Sequence, residues 1–215
     1  MNSVAAENHR YRPHIHGTKI FSQLTHGGHT SLEHPPHIMW APTQMPEPSS
    51  HFSTKAMDED DIHAVIAGFA VSARKAVEAG FDGIEVKVAH DGLLRSFASP
   101  FFNRRGDRYG GSFENRMRLS LEVIEAIKKQ TGDTYPVGVR ICVNEFTTFG
   151  YDLEYGLRMA ETLETSGLVD YFNARTKPRF PFSSWRILRQ RENTWALSTL
   201  TTKLGAQWEP TNSRS

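Results

Sequence analysis

The segment Gly83-Ile-Glu-Val-Lys-Val-Ala89 decides the fold class of this 215-residue chain. It is a short β-branched run, the composition of a strand. Before it, Asp58 or Asp60 can cap a helix whose apolar positions Ile62, Val65, Ile66, Phe69, Ala70, Ala73 and Val77 follow helical spacing, with Gly80 as its stop. After it, Ser112 can cap a second long helix carrying Met117, Leu121, Ile124 and Ile127, which stops near Gly132. Pro136 to Val143 repeats the strand pattern. Leu153 to Thr165 repeats the helical one, with Leu153, Leu157, Ala160 and Leu163 on one side, and Leu168 to Asn173 reads as a further strand. Upstream, Lys19 to Leu24 is a short strand, followed by a Gly/His/Pro/Ser-rich connection from Thr25 to Lys55. Strict alternation of short apolar strands with helices predicts an α/β fold with a parallel sheet, either a (β/α)8 barrel or a doubly wound sheet.

Composition narrows the function classes. Lys and Arg total 25 against 24 Asp and Glu, a net charge of +1, which gives no general attraction to nucleic acid or acidic membranes. The single cysteine, Cys142, excludes an internal disulfide framework and an all-Cys metal site, and suits a reducing compartment. No apolar run approaches the ~20 residues of a membrane span, and the polar, His-rich start lacks the apolar core of a signal peptide. The sequence therefore reads as soluble and cytoplasmic. Charge is uneven, however: Lys177 to Ser215 holds seven Lys/Arg, two Asp/Glu and three of the four Trp. That stretch shows neither strand nor helix periodicity and reads as a divergent tail, a candidate for disorder. Residues 1–18 read as an irregular lead-in, leaving 19–176 as the α/β unit.

In parallel α/β folds chemistry gathers at the C-terminal ends of strands. That rule selects Gln23, Thr25 and His26, then Lys87, His90 and Asp91, then Arg140, then Asn173 and Arg175. An amide, imidazoles, a lysine and an arginine on one face suit an electron-rich, hydrogen-bonding ligand. There is no G-x-S-x-G elbow, P-loop or G-x-G-x-x-G. Eight of the 10 His fall in the first 51 residues, but His26-x-x-His29 and His34-x-x-His37 sit in a Pro-rich loop without a nearby acidic cluster, so no metal site is assigned. The Arg-rich run from Asn103 to Ser112 reads as a loop closed by Arg–Asp pairs, with an anion site at the following helix N-terminus as its rival reading.

Several motifs together carry a resemblance. Phe21-Ser-Gln-Leu-Thr-His-Gly-Gly28, Ala79-Gly-Phe-Asp-Gly-Ile-Glu-Val86, Ala89-His-Asp-Gly-Leu-Leu94, Ser99-Pro-Phe-Phe-Asn-Arg-Arg105, Tyr109-Gly-Gly-Ser-Phe-Glu-Asn-Arg-Met-Arg118 and Val137-Gly-Val-Arg-Ile141 resemble the Old Yellow Enzyme, or NADH:flavin oxidoreductase, family. The run from Lys87 to Leu94 is most similar to the branch containing 2,4-dienoyl-CoA reductases and amine dehydrogenases or demethylases. The resemblance implies an FMN-dependent (β/α)8 TIM barrel. It implies hydride transfer between NAD(P)H, or another electron partner, and a small organic substrate of enoyl or N-methyl amine type.

By the same resemblance, Gln23 matches the glutamine that bonds the flavin pyrimidine edge, and Arg140 the arginine near N1 and O2. Lys87 and His90 take the places of the substrate-holding His/Asn or His/His pair. Gly92 stands where ene-reductases have a proton-donating Tyr, which favours oxidation of a C–N bond over reduction of a C=C bond. His29 stands where an Arg is common. Only parent strands three to six find counterparts, between about Lys19 and Asn173, so the resemblance implies a truncated barrel. Its open edges invite a homo-oligomer. The alternative expectation is a non-catalytic remnant unable to hold FMN, and behind it a His-based metallohydrolase.

Overall fold

The computed structural model describes residues 17–30, 38–46, 53–90, 92–176, 184–189 and 195–200. Strands β1 (Phe21–Leu24), β4 (Gly83–Val88), β5 (Val137–Asn144) and β6 (Tyr171–Thr176) form a parallel sheet in the order β1-β4-β5-β6. The connection after β1 is less irregular than its composition suggests: Gly28–Thr30 is a 3-10 turn, and β2 (Trp40–Ala41) pairs in parallel with β3 (Lys55–Ala56). Helices α1 (Glu59–Glu78), α3 (Phe113–Thr131) and α4 (Leu153–Thr165) fall where periodicity places them.

Each long helix starts on a side-chain cap. Asp58 accepts from the Asp61 N–H at 2.9 Å while Asp61 accepts from the Asp58 N–H at 3.0 Å, a reciprocal box reinforced by acidic residues at the positive end of the helix dipole. Ser112 and Asp152 cap α3 and α4 by single bonds, accepting from the N–H of Asn115 and of Tyr155. Gly132, at φ 82°, ends α3 in a conformation that a β-carbon would strain. Ile62, Val65, Phe69, Ala73 and Ala76 form the buried stripe of α1, which packs against α3. Together they cover Ile84, Val86, Val88, Val137, Val139 and Ile141, each 0–1% exposed. Burial on this scale contributes roughly 1.5–3 kcal/mol per large aliphatic side chain.

Carboxylates that precede strands fix register at the N-terminal end of the sheet. Asp82, before β4, accepts from the backbone N–H of Ile20 at 2.9 Å. Asp170, before β6, accepts from Val137 N–H and from the buried Lys128 ammonium, both at 2.8 Å.

Three elements depart from the periodicity. A short helix α2 (Leu93–Ala98) fills part of the connection after β4, buried along its whole length and so without an amphipathic signature. On α4 the buried face is Gly156, Met159 and Leu163, while Leu153 and Leu157 are 49% and 43% exposed. Gly156 explains the rotation, because a β-carbon there would lie 2.0 Å from the Val143 carbonyl oxygen: α4 rests directly on the backbone of β5. Strand β6 starts three residues later than the apolar run Leu168-Val169 suggests. Beyond it, β7 (Ser184–Arg189) and β8 (Trp195–Leu200) extend the sheet in antiparallel fashion, within a stretch that carries no visible period in sequence. The remainder of 177–215, and 1–16, lie outside the described residues. No helix among the described residues is long and apolar enough to cross a membrane.

Candidate functional site

Strand alternation sorts the sheet into two faces. The helix-covered face is apolar. The other carries Phe21 and Gln23 from β1, Glu85 and Lys87 from β4, Gly138 and Arg140 from β5, and Tyr171 and Asn173 from β6. This face is concave. Three strand steps separate β1 from β6, about 14 Å in a flat sheet, yet the rings of Phe21 and Tyr171 lie 5.5 Å apart. They floor the concavity over two glycines. A β-carbon on Gly83 would sit 2.8 Å from the Phe21 ring, and one on Gly138 would sit 2.1 Å from the Tyr171 ring.

Above the aromatic floor lies a polar layer. Gln23 Nε2 donates to Glu85 Oε1 at 2.6 Å, and Asn173 Nδ2 donates to Glu85 Oε2 at 3.1 Å, reaching across β5. Lys87, Arg140 and Asn173 stand side by side in register on three adjacent strands. Among the described side chains, Lys87 and Arg140 thus share the face with the Glu85 carboxylate. At the exit of β4 the chain turns sharply. His90 has φ 53°, an uncommon conformation for a residue with a β-carbon. The Leu93 N–H donates to the His26 carbonyl at 2.8 Å, tying this turn to the exit of β1. Gly92 caps α2, and a β-carbon there would approach the Ala89 carbonyl oxygen to 3.3 Å.

Of the residues selected from sequence, Gln23, Lys87, Arg140 and Asn173 therefore share one face, with His90 at its rim. Thr25 and His26 do not join that layer: His26 stacks on Trp40 at 6.0 Å, and with Thr25 and Gln23 it lines a cleft of about 430 Å³ against Val65, Gly68 and Phe69 of α1. His29 is buried beside Phe102, with ring centroids 4.9 Å apart. Asp91, His34 and His37 lie outside the described residues, as does the side chain of Arg175. The Arg-rich loop is a packed corner. Arg105 pairs with Asp107 and donates to the Pro42 carbonyl at 2.9 Å, while Asn103 Nδ2 donates to the Phe97 and Tyr109 carbonyls at 2.7 Å.

Sequence reasoning missed Glu85, although its signal was present: Glu85 and Lys87 alternate with Ile84, Val86 and Val88, marking a second, polar strand face. It also missed the buried ion pair of Arg95 with Glu145, whose carboxylate further accepts from Ser99 Oγ at 2.9 Å and the Tyr151 N–H at 3.1 Å.

A parallel strand–helix array with a polar concave face is part of a (β/α)8 barrel of ligand-binding type. The chain belongs to the NADH:flavin oxidoreductase / NADH oxidase family, whose model matches residues 12–194. The match runs past Asn173 and into the stretch whose composition suggests a divergent tail. The chain is 40% identical over 163 residues to an N,N-dimethylglycine/sarcosine dehydrogenase of Chromohalobacter salexigens, covering 74% of this chain and 23% of that protein. It is 36% identical over 203 residues to an NADPH dehydrogenase of Geobacillus sp., covering 89% of this chain and 58% of that one. Among solved structures, 2-naphthoyl-CoA reductase in complex with 2-naphthoyl-CoA superposes with a TM-score of 0.70 at 27% identity, covering 75% of this chain and 27% of the other. Morphinone reductase in complex with tetrahydroNAD gives 0.67 at 27% identity, covering 75% and 50%. The chain thus spans about a quarter of the length of several curated relatives.

The residues present fit an isoalloxazine. Its pyrimidine edge needs amide-type partners and a cation near N1 and O2, and the concave face supplies Gln23, Asn173, Arg140 and Lys87 above a floor of two aromatic rings.

Proposed function

We propose that this chain forms the flavin-binding part of an FMN-dependent oxidoreductase that moves a hydride between NAD(P)H, or another electron partner, and a small organic substrate of N-methyl amine or enoyl type. One observation carries the reading: Gln23 and Arg140, from strands separated by β4, share one concave face at the C-terminal side of the sheet.

When bound, FMN supplies a two-electron hydride acceptor and donor. Gln23 would hold its pyrimidine edge. Arg140 would place a fixed cation beside N1 and O2, stabilising negative charge that develops there at no reorganisation cost. Lys87 and His90, at the end of β4, would face the substrate and donate to an oxyanion or carboxylate. Gly92 offers no phenol, so the usual general acid for C=C reduction is missing, whereas hydride removal from a C–N bond needs none. The similarity to an N,N-dimethylglycine/sarcosine dehydrogenase supports the amine reading, and that to 2-naphthoyl-CoA reductase keeps the enoyl one beside it. The single cysteine favours a cytoplasmic setting.

Anaerobic mixing of the FMN-reconstituted protein with N-methylated amino acids, and separately with NAD(P)H followed by an enoate, tests this reading. Loss of the flavin absorbance bands with the amine is the expected result. A flavin that stays oxidised with every donor, or a protein that takes up no FMN, contradicts it. The second outcome favours a barrel unable to hold FMN, a reading that rests on β1 having no partner except β4 among the described residues.

A further inference from the structure

The two amides of the polar layer both turn their nitrogen toward a third residue. Gln23 and Asn173 each bring their amide nitrogen to Glu85, at 2.6 and 3.1 Å, one on each carboxylate oxygen. A carboxylate only accepts hydrogen bonds, whereas an amide can present either its NH2 or its carbonyl. Glu85 therefore removes the ambiguity: each amide commits one N–H to the carboxylate, which fixes its nitrogen on that side and leaves its carbonyl oxygen, with the second N–H, for other partners. The arrangement is braced, because the two bonds reach Glu85 from β1 on one side and from β6, across β5, on the other.

We infer that Glu85 is a positioning residue that fixes the amide of Gln23 with its carbonyl toward the ligand, so that the site selects a ligand edge bearing an N–H donor between acceptors. The isoalloxazine pyrimidine edge is such an edge: N3–H is its donor, and O2 and O4 flank it as acceptors. Arg140 serves an acceptor and Gln23 the donor. The inference rests on the proposed FMN site and adds to it a polarity and the residue that sets it. Without Glu85 the Gln23 amide is free to rotate, and a ligand lacking the N3 proton meets an NH2 group as readily as a carbonyl.

The test compares binding of FMN and N3-methyl-FMN, followed by flavin fluorescence, in the wild-type chain and in Glu85→Gln, Glu85→Asp and Gln23→Leu. Circular dichroism and a thermal melt establish that each variant is folded. Wild type is expected to bind FMN at least about tenfold more tightly than N3-methyl-FMN, the scale of a lost hydrogen bond with a stranded acceptor. Glu85→Gln is expected to shrink that preference to about threefold or less, while Glu85→Asp keeps most of it. Gln23→Leu should abolish the preference, and adding Glu85→Gln should change it no further; should Glu85→Gln fail to fold, the wild-type preference and its retention in Glu85→Asp still test the inference. A merely structural Glu85 would weaken both ligands equally. Wild-type binding without preference, or full preference retained in folded Glu85→Gln, overturns the inference and leaves the FMN site standing. Absence of FMN binding by the wild type overturns both.

Discussion

Phe21 on β1 and Tyr171 on β6 bring their rings to a centroid distance of 5.5 Å across the concave face. The contact is available because the intervening strands carry Gly83 and Gly138 beneath the rings. Gly138→Ala would place a methyl 2.1 Å from the Tyr171 ring. The expected loss is about 1–3 kcal/mol in urea unfolding, with part recovered in Gly138→Ala/Tyr171→Leu. An unchanged midpoint in the single variant would refute the aromatic floor.

Gly156→Ala gives a sign test for the seating of α4. Alanine is favoured over glycine within a helix by about 1 kcal/mol, so an unconstrained site would gain stability. Here the methyl meets the Val143 carbonyl oxygen at 2.0 Å, a backbone atom that cannot rotate away. A net loss of about 2–3 kcal/mol is expected, and any stabilisation would contradict the packing.

Arg95 and Glu145 form a buried pair joining α2 to the segment after β5. Removing one partner strands a buried charge, so Glu145→Ala or Arg95→Ala should each cost about 3–5 kcal/mol. The double variant should cost clearly less than the two singles combined. Additive losses would show that the pair is not coupled.

The tyrosines set the alkaline limit of stability. Burial, followed by the hydrogen bond to Glu122, pushes Tyr109 from 10.0 up to about 12; burial likewise raises Tyr151, well above its ordinary value, and Tyr155. With folded values above unfolded ones, their contribution is fully present below about pH 10 and is lost as pH rises through the folded values. Urea midpoints should be flat up to about pH 10 and fall toward pH 12, less steeply in Tyr109→Phe. A flat profile to pH 12 would contradict this environment for Tyr109.

Much of this architecture is legible in the sequence because its signals are local. Asp58 and Ser112 cap helices from within three residues, and β-branched runs bounded by Gly and Pro mark β4 and β5. What stayed hidden depends on tertiary neighbours. Helix α2 has six residues and no exposed face, so no period shows. Leu153 and Leu157 make a plausible stripe, but Gly156 permits the backbone approach that turns them outward. At the site, Gln23 and Arg140 are recognisable from their motifs. Glu85 becomes meaningful only when the curvature of the sheet brings Asn173 within 3.1 Å of it.

In the proposed function, Gln23 and Arg140 hold FMN on this concave face. Titration of the purified chain with FMN, read by flavin fluorescence in wild type and Arg140→Ala, tests it most directly. Saturable binding is expected, weakened at least about tenfold when the charged hydrogen-bond donor is removed. No saturable binding, or equal affinity in the two proteins, would contradict it.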